Sequence, residues 1–332
     1  MHETFFLLLC VIILALIFDF INGFHDTANA IATSVSTRVL SPKAAVSMAA
    51  VLNMVGALSG TAVAKTVGAG LVEASCITQV TVISALIAAI VWDLTTWYFG
   101  LPTSSSHAIL SGVVGAAIAT AGKDVIIQKG VYKVITGLIL SPIIGFILSF
   151  FFMIFLLWLF GRSTPTLVSH LFGRLQLLSA AYMAFSHGGN DAQKTMGIIT
   201  MALVNYYGLS EFNVPLWVIF ACAMAMAFGT AFGGWRVIKT LGMRLVQLKP
   251  IQGFAAETSA ATVIEIASRM GLPLSTTHVI SSTIMGVGAS KKFSAVKWGI
   301  GGNILLAWVL TLPVCAFLAW LICKGLHLWI TG

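Results

Sequence analysis

The chain alternates long apolar runs with short polar clusters, and the runs have helical length. In the first half the pattern predicts helices over 4–36, 43–65, 78–99, 106–120 and 131–160; in the second, over 167–204, 213–234, 251–269, 277–290 and 294–324. Two long runs carry polar insertions. FINGFHDTANA (20–30) places Asn22, His25, Asp26 and Asn29 directly after the run from Phe5 to Phe18, and FSHGGNDAQKT (185–195) interrupts the run over 167–204. Gly23 predicts a break there, with the helix restarting near Thr27. The segments 106–120 and 277–290 hold about 14–15 residues, or about 22 Å of helix, too little for a hydrocarbon core of about 30 Å. Each follows a Gly-Leu-Pro break and a Ser/Thr cluster. The stretches 78–120 and 251–290 are therefore predicted as re-entrant hairpins with tips at Pro102–Ser106 and Pro273–Thr277, although 78–99 is long enough to span alone.

Composition turns these helices into membrane helices. Of 332 residues, 58% are hydrophobic and only 8% charged, and the mean hydropathy is +1.00. Soluble domains carry about a quarter charged residues, so the bilayer must solvate most of this chain. The first apolar run lacks a basic n-region and a small-residue cleavage site, so a cleaved signal peptide is not expected. No nucleotide fingerprint is found, and the net charge of +8 requires no nucleic-acid partner. Of the five cysteines, four lie in apolar runs and none forms a CxxC pair, which suggests neither disulfides nor zinc.

The chain also repeats itself. LPTSSSHAILSGVVG (101–115) and LPLSTTHVISSTIMG (272–286) share seven of fifteen positions at an offset of 171. Phe20, Gly23 and Asp26 meet Phe185, Gly188 and Asp191 at an offset of 165. Two matches in the same order make an internal duplication, with repeats over 1–160 and 161–332. Three crossings and one hairpin per repeat would invert the second copy. Charge supports this. If the loop 235–250 is cytoplasmic, that side collects Arg38, Lys43, Arg162, Arg236, Lys239, Arg244, Lys249, Lys291, Lys292 and Lys297, against Lys65, Lys123, Lys129, Lys133 and Lys324 opposite, with both termini outside. The predicted fold class is an all-α polytopic membrane transporter with two inverted repeats, interrupted helices and two re-entrant hairpins.

Such repeats place transport sites near the midplane, where helix ends meet. Asp26 and Asn29 stand at i and i+3 on one helical face, a spacing repeated by Asp191 and Lys194. Capping alone is a poor reason for two carboxylates at membrane depth, where each costs at least about 2.5–3.5 kcal/mol. Ser104, Ser105 and Ser106 precede one half-helix and Ser275, Thr276 and Thr277 the other, so hydroxyls and free N–H groups can surround an oxyanion. His107 and His278 follow the tips as orienting donors or proton carriers. Asn190 is the counterpart of His25. Glu257, Glu265, Asp19 and Asp93 are coupling groups or buried hydrogen-bonding partners, with Asp93 and Glu265 read as symmetry mates. Candidate substrate residues are thus Ser104, Ser105, Ser106, Ser275, Thr276, Thr277, Asn29, Asn190 and Lys194. Candidates for cation or proton coupling are Asp26, Asp191, His107, His278 and Glu257, and Asp26 with Asp191 could hold a metal.

GFHDTANAIAT and HGGNDAQKTMGIIT, with LPTSSSH and LPLSTTH, make the sequence resemble the inorganic phosphate transporter family over essentially its whole length. The resemblance implies inverted repeats, proton- or sodium-coupled uptake of inorganic phosphate, and, in bacterial members, phosphate carried as a neutral complex with Mg2+ or another divalent metal. No other cofactor is implied. The expected location is the plasma membrane, as a monomer or a homodimer within the lipid bilayer. Lys194, where the first repeat has Asn29, departs from strict duplication and argues for protons over sodium. A sulfate permease of this architecture is the alternative substrate reading. A passive anion channel would not need Asp26 and Asp191, and an intramembrane enzyme lacks a GxSxG elbow beside Ser106 and His107.

Overall fold

A computed structural model describes residues 5–73 and 76–331, with side chains to residue 328. The described residues form α1 (Phe5–Ser36), α2 (Pro42–Ala57), α3 (Ala62–Ala69), α4 (Gln79–Phe99), α5 (Ser105–Ala121), α6 (Gln128–Leu159), α7 (Pro165–Tyr207), α8 (Leu216–Phe232), α9 (Trp235–Lys239, continued by a π-turn over Thr240–Leu245), α10 (Pro250–Arg269), α11 (Thr276–Lys291) and α12 (Trp298–Thr331). Among the described residues, four helices are long and apolar enough to cross a membrane: α1, α4, α6 and α12. Two bent pairs, α2 with α3 at 70° and α8 with α9 and its π-turn at 60°, raise the number to as many as six. The 43-residue α7 has the length but not the hydropathy, because polar residues from Ser186 to Thr195 fill its middle.

The second half repeats the first. α1, the α2–α3 pair, α4, α5 and α6 correspond in order to α7, the α8–α9 pair, α10, α11 and α12. The two hairpins are built alike. Gly100 and Gly271 end α4 and α10 at φ 67° and 66°, where other residues would be strained. In each, the N–H of the following leucine returns to the last turn, Leu101 to Thr96 O at 2.9 Å and Leu272 to Ala267 O at 2.8 Å. Proline follows, and Ser104 and Ser275 cap the next helix by accepting from the His107 and His278 N–H groups at 3.1 and 3.2 Å.

The site lies between two cores. α1 starts in the first, at Leu8, Val11, Ala15 and Phe18, and ends in the second, at Ala28, Ile31 and Ala32. α7 runs the other way, from Phe172, Met183 and Ala184 in the second core to Ala192, Ile198 and Leu203 in the first. The polar clusters of both helices fall at this crossover. The halves also exchange partners: α5 packs on α12, and α11 on α6. The outer faces of α6 and α12 expose Ile139, Ile143, Ile147, Leu306, Val309 and Phe317, a surface suited to lipid.

The interruptions fall elsewhere than the sequence predicts. α1 and α7 are continuous through Gly23 and Gly188, whereas the segment expected as a single helix over 43–65 is bent between α2 and α3, and the helix expected over 213–234 runs unbroken as α8 and bends into α9 only at its end, at Gly233–Gly234. The reason is packing. A Cβ on Gly23 would stand 2.5 Å from Met226 O, and one on Gly188 2.1 Å from Asn53 O. These glycines let α8 cross α1, and α2 cross α7, at backbone contact, as small residues do in membrane interfaces.

Candidate functional site

The crossing of α1 and α7 presents Asp26 and Asn29 on one side, Asp191 and Lys194 on the other. The two hairpin tips close over them. Ser105 Oγ donates to Asp26 Oδ2 at 3.3 Å, and its counterpart Thr276 donates to Asp191 Oδ2 at 3.0 Å. The next residue of each tip reaches across to the other half. Ser106 Oγ accepts from Lys194 Nζ, and Thr277 Oγ1 accepts from Asn29 Nδ2 at 2.9 Å while donating to Asp26 Oδ1 at 3.3 Å. Each tip thus holds the carboxylate of its own half and one amine or amide of the other, and the second tip reaches the first half's carboxylate as well. All eight residues are buried.

Charge compensation differs between the two carboxylates. Asp191 takes the Lys194 ammonium, one helical turn away. Asp26 has no lysine, and His25 Nδ1 lies 2.7 Å from its Oδ1. His25 Nε2 continues to Thr96 Oγ1 at 3.3 Å, which accepts in turn from Thr103 at 2.8 Å. Ligand atoms of Asp26, His187 and Asp191 all lie within 4.8 Å of one another, with His187 Nε2 3.3 Å from Asp191 Oδ2. The pair read as a metal site is therefore joined by a histidine that motif matching misses. One signal pointed to it: His187 precedes Asp191 by four residues, hence shares its face.

Other candidates stand behind this centre. His107 and His278 lie ring on ring at 4.4 Å, His278 stacks on Trp308 at 3.7 Å, and the Trp308 indole donates to Pro102 O at 3.0 Å. His107 Nδ1 also meets Ser104 Oγ at 2.7 Å. This stack ties the rear of the two tips together. Asn190 donates to Ser268 Oγ of α10 at 2.7 Å. Glu257 lies nearer the C-terminal end of α1, where Thr33, Gln176 and Ser179 all donate to it. Asp19 accepts from Thr195 at 3.0 Å. Asp93 and Glu265 are not mates in space: Asp93 is wholly buried on α4, while Glu265 pairs with the exposed Arg269 at 2.8 Å.

Two buried carboxylates beneath two donor-rich helix N-termini, inside a bundle of membrane-length helices, define a multi-pass membrane transport protein. Residues 22–319 match the phosphate transporter family, and the chain belongs to that family. It is 48% identical to a Rhizobium meliloti (strain 1021) protein named "probable low-affinity inorganic phosphate transporter", covering 94% of each chain. A Bacillus subtilis (strain 168) protein of the same name is 49% identical over 94% of this chain and 95% of its own. A solved structure described as "The sodium-dependent phosphate transporter" superposes with a TM-score of 0.90 at 26% identity, covering 97% of this chain and 99% of that one. In a bacterium, such a protein resides in the plasma membrane.

Proposed function

We propose that this chain is a secondary active symporter that takes up inorganic phosphate and couples its entry to protons. The observation that carries the reading is the contact of Lys194 with Asp191 and Ser106 at the position where the first half has Asn29. An ammonium has three donors and no acceptor, so it cannot ligate sodium, but it supplies positive charge beside Asp191. Two uncompensated carboxylates would repel a phosphate anion in this low-dielectric site. Lys194 offsets one, and a proton shared by His25 and Asp26 offsets the other. The hydroxyls of Ser105, Ser106, Thr276 and Thr277, with the first N–H groups of α5 and α11, can then turn to the oxyanion. Loss of the proton restores the repulsion and releases the anion.

A sodium-coupled reading is favoured by the grouping of Asp26, His187 and Asp191 and by the similarity to a transporter described as sodium-dependent. A divalent metal entering as part of the cargo would find its ligands in the same three residues. The test is uptake of radiolabelled phosphate into proteoliposomes, driven by an imposed pH gradient in sodium-free buffer, with sulfate as competitor. Concentrative uptake that sulfate does not suppress is expected. Transport that stops without sodium and returns with it overturns the coupling, and preferential uptake of sulfate overturns the substrate.

A further inference from the structure

Two adjoining cavities open beside the base of the second hairpin. The first, about 570 Å³, runs along Met153, Leu156 and Leu157 of α6 and the Phe160 that follows it, and carries the exposed Lys249 and Lys291. The second, about 780 Å³, includes Arg38, His170 and Arg174, and the two share Pro165, Ser169 and Pro250. Among the described residues, no acidic side chain lines either cavity. None occurs between Asp124 and Asp191 or after Glu265.

The same place in the first half is built differently. At the offset of 171, Lys249, Gln252 and Lys291 are the counterparts of Thr78, Thr81 and Thr120. Those threonines clasp one another, at 3.0 Å between Thr78 and Thr81 and 2.7 Å between Thr81 and Thr120, and Thr120 meets Cys323 of α12 at 3.3 Å. The second half keeps the backbone contact, Lys249 N–H to Gln252 Oε1 at 2.9 Å. It replaces the clasp with two ammonium groups beside an open, apolar-walled slot against α6. Two like charges with no acid among the cavity walls call for an anion. The apolar wall calls for a chain. A free inorganic anion satisfies only the first demand, whereas an anionic phospholipid satisfies both.

We infer that this slot binds one anionic phospholipid, its phosphate on Lys249 and Lys291 and an acyl chain along α6. Arg38 and Arg174, in the adjoining cavity, extend the positive field over the headgroup. The occupied slot is the base of the α10–α11 hairpin, the element that carries Thr276 and Thr277 to the site. The lipid would thus fill the seam that three threonines close in the other half.

The test is native mass spectrometry of the purified, delipidated protein titrated with phosphatidylglycerol, phosphatidylcholine or inorganic phosphate. Wild type is expected to retain one phosphatidylglycerol in preference to phosphatidylcholine. The double variant Lys249→Thr/Lys291→Thr, which installs the first half's residues, should lose that retention by roughly tenfold or more. Lys249→Arg/Lys291→Arg should keep it. Equal retention by wild type and the threonine variant overturns the proposal. So does an absence of headgroup preference, or displacement of the lipid by inorganic phosphate, which would make the cavity a phosphate site.

Discussion

Lys194 of the second half donates to Ser106 of the first half's tip, and the counterpart bond runs from Asn29 to Thr277 at 2.9 Å. The two bonds cross, so each tip is held by the long helix of the opposite repeat. Substitution of Lys194 leaves Asp191 buried without its cation, a loss of about 3–5 kcal/mol. Lys194→Met should therefore lower the unfolding temperature markedly, and Lys194→Met/Asp191→Asn should recover most of it. Additive losses in the double variant, measured by thermal unfolding in detergent, would dissolve the pair as a stabilising unit.

The proposed coupling assigns the decisive role to the carboxylates. Asp26→Asn and Asp191→Asn are each expected to abolish concentrative phosphate uptake while the protein still reaches the membrane. Accumulation at the wild-type level in either variant, assayed in the same proteoliposomes, would remove that residue from the coupling step.

The tip hydroxyls should separate into two kinds. Ser105 and Thr276 touch the carboxylates, so Ser105→Ala and Thr276→Ala should weaken phosphate binding by roughly 1–3 kcal/mol through loss of a donor. Ser104 caps α5, so Ser104→Ala should cost about 1 kcal/mol of stability and leave the half-saturation concentration nearly unchanged. A common effect of all three on half-saturation would erase the distinction.

Opposed repeats predict opposed ends for α5 and α11. Lys123 and Lys292, both exposed and just beyond these helices, should label from opposite faces of the membrane when each is replaced by cysteine. Lys123 is the better choice over Gly122, whose φ of 84° disfavours a side chain. Modification of both by an impermeant reagent from one side would contradict the inversion.

The chemistry of the site was more legible than its mechanics. Asp26, Asn29, Asp191, Lys194 and the Ser/Thr tips stood out because polar residues are conspicuous against apolar helices, and because their positions recur at fixed offsets even where Lys194 replaces Asn29. The glycines misled. Gly23 read as a break and the run around Gly188 as interrupted, yet both glycines serve close crossings, with α8 and α2, which only the partner helix can reveal. The true bends, near Leu58–Thr61 and Gly233–Gly234, lie in runs with no comparable polar signal. His187 escaped notice because its counterpart is Asn22, so the duplication hides rather than repeats it. The separation of Glu265 from Asp93 was equally invisible, since spacing from a Leu-Pro break fixes position along a helix but not the face presented.

The exchange of partners between α5 with α12 and α11 with α6 has a consequence for assembly. Neither half owns the helix against which its tip helix is seated. A chain cut in the loop around Gly161–Ser163 should therefore behave as two complementing fragments, each degraded when expressed alone and rescued by the other. The same logic describes what a single unduplicated copy would have required: a second copy of itself, inserted upside down.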